Sequence, residues 1–256
     1  MSLTFGYSTL SSRLSNIRLP QLANFPDWEV LITVQSGDET EPNLQAAPVG
    51  VRVLGFSGRG VTKLRNQAIE NSQTDYLIFA DDDVEFNLKD ISKAIEHMKK
   101  HGTGLLLGQA KDEDGNLRKK YPTAITKLTK LNSAKAATYE MIVDLKQVQQ
   151  AEVRFDEKFG AGVQTTYLGD EYIFICDLIS KGVKCEFVPL TLAVHPKQSS
   201  GSGWGTDADR KARALIFDRA FLGSSTMPYL ARIGFGLTKL GKQLSLKNYL
   251  RFIFKR

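Results

Sequence analysis

The stretch Tyr76-Leu77-Ile78-Phe79-Ala80-Asp81-Asp82-Asp83 joins an apolar run to three consecutive carboxylates. An apolar run of this length predicts a buried strand. Successive side chains of an extended chain point to opposite sides, so Asp81 and Asp83 can converge on one ligand while Asp82 faces away. Magnesium and manganese bind one or two carboxylates together with phosphate oxygens. The run therefore predicts a metal site for a phosphorylated compound, with a solvated acidic turn as the alternative.

Strands and helices alternate on both sides of this segment. Strands are predicted at residues 3–7, 29–34, 51–56, 76–80, 104–109 and 184–189, and helices at 62–71, 88–101 and 169–181. This alternation predicts an α/β fold with a mostly parallel sheet flanked by helices. In such sheets ligands bind beyond the carboxyl ends of the strands, which is where Asp81 to Asp83 are placed.

Composition narrows the function classes. The chain has 256 residues and 42% hydrophobic content, which is ample for an ordinary core. Cys176 and Cys185 have no CxxC spacing, and the three histidines form no HExxH motif, so a structural zinc site is not predicted. The N-terminus does not have the pattern of a secretory signal, and no apolar window has transmembrane length. The cytoplasm is therefore the expected location.

The positive charge is concentrated in the C-terminal segment. The whole chain has a formal charge of +6, and residues 227–256 contain seven Lys and Arg with no Asp or Glu, so the preceding chain has −1. A general nucleic-acid-binding surface is not supported, and no nucleic-acid partner is predicted.

Two more segments accompany the acidic run. Gly60-Val-Thr-Lys-Leu-Arg65-Asn66 precedes it, and Gly169-Asp170-Glu171 opens an apolar helix that ends at Lys181-Gly182. In order and spacing, the three segments resemble the family 2 glycosyltransferases of the GT-A fold, over roughly residues 28–196. The resemblance implies a Rossmann-like GT-A sheet.

The same resemblance implies a division of the chain. Residues 1–205 are expected to form the glycosyltransferase domain, with a nucleotide-sugar half at about 1–110 and an acceptor half at about 111–205. Residues 206–256 are expected to form a helical, basic C-terminal extension.

The implied activity is that of a metal-dependent, inverting glycosyltransferase that uses Mn²⁺ or Mg²⁺. It would move a sugar from a nucleotide-diphosphate sugar to a glycan or lipid-linked saccharide in polysaccharide biosynthesis. UDP is the expected nucleotide. However, the second strand ends in Gln35-Ser36-Gly37-Asp38, where the family usually has Asp-Asp-Gly-Ser, so dTDP and GDP stay open. The donor sugar, the acceptor and the linkage are not predicted.

The two outer carboxylates of the Asp-x-Asp motif are expected to have different roles in binding the metal and the nucleotide sugar. Asp83 is predicted to hold the metal, with Asp81 close to the ribose or to the metal's waters. Asp82 is assigned to the nucleotide sugar but can equally cap the turn. His195 either completes the metal site or is a buried structural histidine.

Other polar and aromatic residues are assigned to the nucleotide sugar. A helix start that carries two cations suits phosphate or ribose contact, and a tryptophan in a glycine-serine loop can close over a sugar. Helix solubility and a linker are the corresponding structural alternatives. The assigned residues are Asp38, Lys63, Arg65 and Trp204.

Glu171 is predicted to be the general base that accepts the proton of the acceptor hydroxyl. A carboxylate at a helix start is kept ionised by the helix dipole. Because the family order is Glu-Asp and this chain has Asp170-Glu171, Asp170 remains an alternative base. Acidic capping of the helix is the structural explanation.

An amphipathic basic helix is predicted in the C-terminal segment. Leu230, Ile233 and Leu237 recur at helical spacing and continue to Leu240 and Leu244, with Arg232, Lys239 and Lys242 on the opposite side. Two destinations stay open for residues 227–256, namely the enzyme's own core and an anionic membrane surface, to which the protein would be peripheral.

Three rival functions are weighed against glycosyl transfer. A haloacid-dehalogenase-type phosphotransferase needs Thr or Val where this chain has Glu85, and a nucleotidyltransferase needs a glycine-rich basic loop that is absent from the first strand. The third is a non-enzymatic, membrane-associated protein that uses the basic C-terminal segment.

Overall fold

A nine-stranded mixed sheet forms the centre of the computed structural model, which describes residues 1–38, 40–197 and 206–254. The strands are β1 (Leu3–Leu10), β2 (Trp28–Gln35), β3 (Arg52–Phe56), β4 (Tyr76–Ala80), β5 (Glu85–Phe86), β6 (Leu105–Lys111), β7 (Thr126–Lys127), β8 (Met141–Asp144) and β9 (Cys185–Val194). The helices are α1 (Val61–Asn71), α2 (Leu88–His101), α3 (Leu145–Gln150), α4 (Asp170–Ser180), α5 (Asp207–Ala220), α6 (Met227–Leu237) and α7 (Leu246–Phe254).

The strand order is β3-β2-β1-β4-β8-β6-β9-β5, with β7 also paired to β9. Strands β1 to β4 are parallel to one another, and β8 runs antiparallel between β4 and β6. The prediction of an α/β fold with a mostly parallel sheet is confirmed. Because parallel strands end at the same edge, the segments that follow β1, β2 and β4 lie together there.

Strand β4 is central because both of its faces are buried. Leu77 and Phe79 belong to the apolar layer that includes α1 and α4, whereas Ile78 belongs to the opposite layer with α2. The Phe79 ring meets the rings of Phe155 and Phe174 edge-on, with centroids 5.2 and 6.3 Å away. A strand buried on both faces reads as a continuous apolar run, which explains the sequence of this segment.

The C-terminal helices pack on α4. A third apolar cluster joins Tyr172 and Ile173 of α4 to Ile216 and Phe217 of α5 and to Phe252 of α7. No described helix is long and apolar enough to cross a membrane. The predicted division at residues 205 and 206 stays a prediction.

Helix α6 turns its basic side inward, so its apolar row does not take the first of the two predicted destinations, the enzyme's own core. Arg232 is fully buried, whereas Leu230 and Leu237 are 58% and 55% exposed. The Arg232 Nε donates to the Pro228 carbonyl at 3.2 Å, and its guanidinium lies 3.5 Å from Asp218. The predicted continuous helix is also interrupted, since α6 ends at Leu237 and α7 begins at Leu246.

Small residues explain this orientation of α6. Ala231 and Gly236 are buried on the inner side of α6. A Cβ atom at Gly236 would lie 2.7 Å from the Tyr249 ring, so only glycine permits this approach of α6 to α7. The face with small residues therefore packs inward, and the face with large apolar residues is left outside.

Candidate active site

The three carboxylates after β4 have three different surroundings. Asp82 is buried, where its carboxylate accepts hydrogen bonds from Thr9 Oγ1 at 2.6 Å and Arg13 Nη2 at 2.5 Å. Burial raises the pKa of Asp82, while the hydrogen bond from Thr9 and the charge of Arg13 oppose the rise. Both partners follow or end β1, so Asp82 ties the end of β4 to the neighbouring strand.

Asp83 and His195 lie beside each other because β5 pairs with β9. Glu85 is opposite Val194 in that ladder, which brings the residues at the adjoining strand ends together. His195 Nε2 is 3.4 Å from Asp83 Oδ1. The other ring nitrogen, Nδ1, is 2.8 Å from the Pro196 carbonyl, and the ring stacks on Tyr139 with centroids 4.5 Å apart. Since a carbonyl only accepts, Nδ1 carries the hydrogen of this bond. In a neutral ring the lone pair on Nε2 then remains available to bind a metal ion.

This pair fits a divalent cation that completes its ligands with substrate. A metal-binding histidine commonly donates its second ring N–H to a carbonyl, as His195 does. No group of three or more His, Cys, Asp or Glu within the described ranges is arranged to hold an ion alone. Magnesium and manganese need only one or two protein ligands when phosphate oxygens and waters supply the rest. Asp81, the other predicted ligand, also contacts Arg65, at 3.4 Å.

Arg65 connects the strand edge to the helix that carries the predicted base. Its side chain is buried, with Asp170 in close contact, Asp81 at 3.4 Å and Glu171 at 3.7 Å. Burial acts to lower the pKa of Arg65, and the three carboxylates raise it above the ordinary value. Arg65 was predicted to contact phosphate or ribose, and its guanidinium is held here among carboxylates.

The neighbouring residue of α1 fixes a chain segment on the acceptor side. Asn66 Oδ1 accepts from the Phe155 backbone N–H at 2.8 Å, and Asn66 Nδ2 donates to the Phe155 carbonyl at 3.0 Å. This two-way pairing replaces a strand partner for an irregular backbone segment. The adjacent Arg-Asn pair thus has two tasks, since Arg65 orders charges and Asn66 positions the chain.

Asp170 and Glu171 differ in access to solvent. The side chain of Asp170 is 4% exposed and that of Glu171 is 21% exposed. Burial and the charge of Glu171 raise the pKa of Asp170 to about 7, against the opposing effect of Arg65. Glu171 accepts a hydrogen bond from Thr138 Oγ1 at 2.7 Å. Of the two carboxylates, Glu171 is the one that can meet a substrate.

A cavity of about 150 Å³ adjoins Glu171. Its other walls are largely apolar and come from the loop before α4 and from α5 and α6; they include Leu168, Ile216, Phe217 and Phe235. A larger cavity, of about 460 Å³, is lined by Trp28, Val30 and Arg52 and contains none of the predicted site residues. We therefore take the smaller cavity as the candidate acceptor side.

The remaining predicted donor contacts lie on exposed turns. Asp38 follows β2, and hydrogen bonds from Thr40 lower the pKa of its carboxyl. Its backbone carbonyl accepts from the Gly58 N–H at 2.6 Å, so the turn after β2 is tied to the one before α1. Lys63 is exposed in the first turn of α1. Trp204 lies outside the described residues.

Several residues of the site were not predicted from the sequence. Arg13 and Thr9 hold Asp82, Thr138 contacts Glu171, and Tyr139 stacks on His195. Residues 123–150 are ambiguous in sequence apart from a possible strand at 138–144, and such a strand assigns no role in the site to Thr138 or Tyr139. Arg13 could have been found by asking which cation follows the strand adjacent to β4.

The family described as glycosyl transferase family 2 matches residues 9–150, more than half of the chain. The chain belongs to this family. It is therefore a glycosyltransferase that uses a nucleotide sugar, and the phosphotransferase, nucleotidyltransferase and non-enzymatic alternatives are set aside. The match includes Arg65 and Asp81 to Asp83, whereas Asp170, Glu171 and His195 lie beyond it.

Solved structures agree with the family at the level of fold. The structure of TarS 1–349 from S. aureus in complex with UDP-GlcNAc is 13% identical with a TM-score of 0.59, over 99% of this chain and 82% of TarS 1–349. The corresponding complex with UDP has 13% identity and a TM-score of 0.57, over 98% and 81%. A longer TarS structure has 13% identity and a TM-score of 0.55, over 93% of this chain and 42% of its own. No curated protein matches the sequence significantly.

Proposed function

We propose that the protein transfers a sugar, with inversion, from a nucleotide-diphosphate sugar to a hydroxyl group of a glycan or lipid-linked saccharide. The observation that carries this proposal is the position of Arg65, which lies 3.4 Å from Asp81 and 3.7 Å from Glu171. One side chain therefore reaches from the strand edge proposed for the donor to the carboxylate proposed as the general base. A transfer reaction needs this proximity of leaving group and base.

The donor is assigned to the edge where β1, β2 and β4 end. UDP is the expected nucleotide, because the TarS structures with the same fold are complexes with UDP-GlcNAc and UDP. Asp38 after β2 and Asp81 after β4 suit the base and ribose, whose hydroxyl and N–H groups donate to carboxylates. Lys63 supplies a positive charge at the start of α1 for the diphosphate.

Asp83 and His195 are the residues that would hold Mn²⁺ or Mg²⁺. A divalent cation at this position neutralises the charge that develops on the departing diphosphate. Tyr139 and the Pro196 carbonyl keep the His195 ring oriented toward Asp83.

Glu171 acts as the general base. Its carboxylate accepts the proton of an acceptor hydroxyl that enters the adjoining cavity, and the oxygen attacks the anomeric carbon. The bond from that carbon to the diphosphate breaks on the opposite face, so the configuration inverts. The hydrogen bond from Thr138 Oγ1 fixes the orientation of Glu171.

The proposal is tested by incubating the protein with each of a panel of nucleotide-diphosphate sugars in the presence of Mn²⁺ or Mg²⁺ and measuring thermal unfolding and turnover. A bound donor stabilises only the folded protein, so the correct donor is expected to raise the unfolding temperature. The activity is measured as release of the nucleoside diphosphate from that donor. Asp83→Asn should remove metal-dependent protection and release. Asp27→Asn, which alters an exposed carboxylate before β2 at the opposite edge of the sheet, serves as the matched control. Metal-independent turnover, or full turnover by Asp83→Asn, would contradict the metal role.

A further inference from the structure

Large apolar side chains are exposed mainly in the C-terminal helices. Eight of the thirteen exposed large hydrophobic residues among the described residues lie between residues 222 and 254. On α6 they include Leu230, Ile233 and Leu237, which follow one another at helical spacing. On α7 they are Leu246, Leu250 and Phe254, again at helical spacing. Exposed rows of large apolar side chains such as these indicate an interaction site.

These rows cannot turn inward, because the opposite side of each helix is already packed. Ala231, Arg232 and Gly236 occupy the inner side of α6. Phe252 and Ile253 are buried on the inner side of α7. Turning α6 would also carry the Arg232 guanidinium away from Asp218, 3.5 Å distant. The exposed rows are therefore a fixed feature of the fold.

The charge around these rows is positive. No Asp or Glu follows Asp218 in the sequence. Lys239, Lys242, Lys247 and Arg251 have no ion-pair partner within the described part of the chain. Burial lowers the pKa of Lys239, and the neighbouring cations Lys135, Arg213 and Lys242 lower it further, as expected where positive charge is not neutralised.

We propose that α6 and α7 bind the surface of a bilayer that contains anionic phospholipids. The leucine, isoleucine and phenylalanine rows enter the boundary between headgroups and acyl chains, and the lysines and Arg251 contact lipid phosphates. At 11 and 9 residues the two helices are too short to span the bilayer, and they bind at its surface. A second copy of the chain is a poorer occupant, because self-association would bring two basic surfaces together.

The membrane contact would place the acceptor side near the lipid surface. Phe235 of α6 lines the same cavity as Glu171, so the helix that carries one apolar row also forms a wall of the candidate acceptor site. The inference goes beyond the proposed reaction and does not depend on it, since it concerns binding without donor or acceptor.

Flotation of the full chain with vesicles tests the proposal. Binding is measured with vesicles of phosphatidylcholine alone and with vesicles of equal parts phosphatidylcholine and phosphatidylglycerol, at low and high salt. The variants are Leu230→Gln/Leu237→Gln on α6, Leu246→Gln/Leu250→Gln on α7 and Lys242→Glu/Lys247→Glu. Matched controls are Ile125→Gln/Leu131→Gln, which alter exposed apolar residues elsewhere, and Lys99→Glu/Lys100→Glu, which reverse charges on α2.

The wild type should bind the anionic vesicles, more weakly at high salt, and each of the three variants should lower the partition constant by about tenfold or more. The controls should bind as the wild type does. Because all substituted positions are exposed, the unfolding temperatures should stay close to that of the wild type. Absence of anionic-vesicle binding, equal loss in the controls, or a dimer that the leucine variants convert to a monomer would overturn the proposal.

Discussion

Arg65 determines how charge is arranged in the site. A buried guanidinium stays charged only if acceptors replace its water, and Asp170, Asp81 and Glu171 do so. The closest of the three, Asp170, is thereby occupied with Arg65. Glu171, farther from the guanidinium and more exposed, keeps its carboxylate available for a substrate.

Glu171→Gln is expected to lower kcat by about 100- to 10,000-fold, because an amide cannot accept the acceptor's proton. The KM for the donor should change little, since Glu171 faces the cavity on the other side of Arg65. Steady-state kinetics with the identified donor measures both constants. Asp177→Asn, which alters a carboxylate on the same helix paired with Arg219, is the control. If Asp170→Asn abolishes turnover while Glu171→Gln retains it, the base is Asp170.

Asp170 is expected to make stability depend on pH. Its pKa is raised from 3.8 to about 7, so the stabilising contribution of its protonated form is complete below pH 3.8 and is lost as the pH rises through about 7. Asp170→Asn removes this titration. The free energy of unfolding of the wild type, minus that of the variant, should therefore decrease as the pH rises from about 4 to about 7. The decrease should be at most about 1.4 kcal/mol per pH unit. Denaturant unfolding at several pH values measures it, and a difference that rises with pH would contradict the assignment.

At the scale of elements, the start of α4 is placed by contact with α5. Gly169 has a φ of 89°, and a Cβ atom there would lie 2.3 Å from Ile216 Cδ1. Only glycine satisfies both the left-handed backbone and the close approach. The same contact sets where Asp170 and Glu171 begin the helix.

Gly169→Ala should therefore lower the free energy of unfolding by about 1–3 kcal/mol and reduce turnover, because α4 must move away from α5. Gly182→Ala is the matched control, since Gly182 follows the end of the same helix with a φ of 80° and a Cβ atom there would have nothing within 4 Å. Its cost should be about 1 kcal/mol, from the backbone alone, with turnover unchanged. Thermal and denaturant unfolding, with kinetics, distinguish the two, and equal effects would show that the Ile216 contact is unimportant.

Local patterns predicted some elements better than others. The strand at 76–80 and the helix at 88–101 have the predicted bounds, the helix because Asn87 caps its first turn and Gly102 ends it in the left-handed conformation. The strand predicted at 184–189 begins at Cys185 and continues through the strand-like residues 190–194, because β6 and β5 both pair with that part of it. Pairing partners extend a strand beyond its own apolar run, and they are not visible in the run itself.

At the scale of the whole molecule, the C-terminal helices share a core with α4, the helix that carries the proposed base. Phe252 is fully buried in the cluster that contains Tyr172 and Ile173. Phe252→Ala is expected to lower the free energy of unfolding by about 3–5 kcal/mol. Leu250→Ala, on the exposed side of the same helix, should change it by less than about 0.5 kcal/mol. Denaturant unfolding measures both values, and a small effect of Phe252→Ala would mean that α7 is dispensable for the fold.

The candidate site was predictable in its residue types and only partly in its contacts. The three aspartates follow the end of β4; Asp83 lies beside His195, and Arg13 lies near both Asp82 and Asp83. The link between Arg65 and Asp170 spans 105 positions of sequence, and Arg13 and Thr138 lie 69 and 33 positions from the residues they hold. Contacts of this separation depend on which strands are neighbours in the sheet.

The sequence by itself determined the family, the order of six of the described strands and of three helices between them, and the acidic run at the end of a buried strand. These follow from local spacing, which sets the residues that share a side of an element. The tertiary structure alone decided which side faces inward. On α6 the spacing grouped the leucines apart from Arg232, yet Arg232 is buried and Leu230 is exposed. The physical reason is that Asp218 on α5 and the Tyr249 ring on α7 favour the other orientation, and neither of these partners lies on α6 itself.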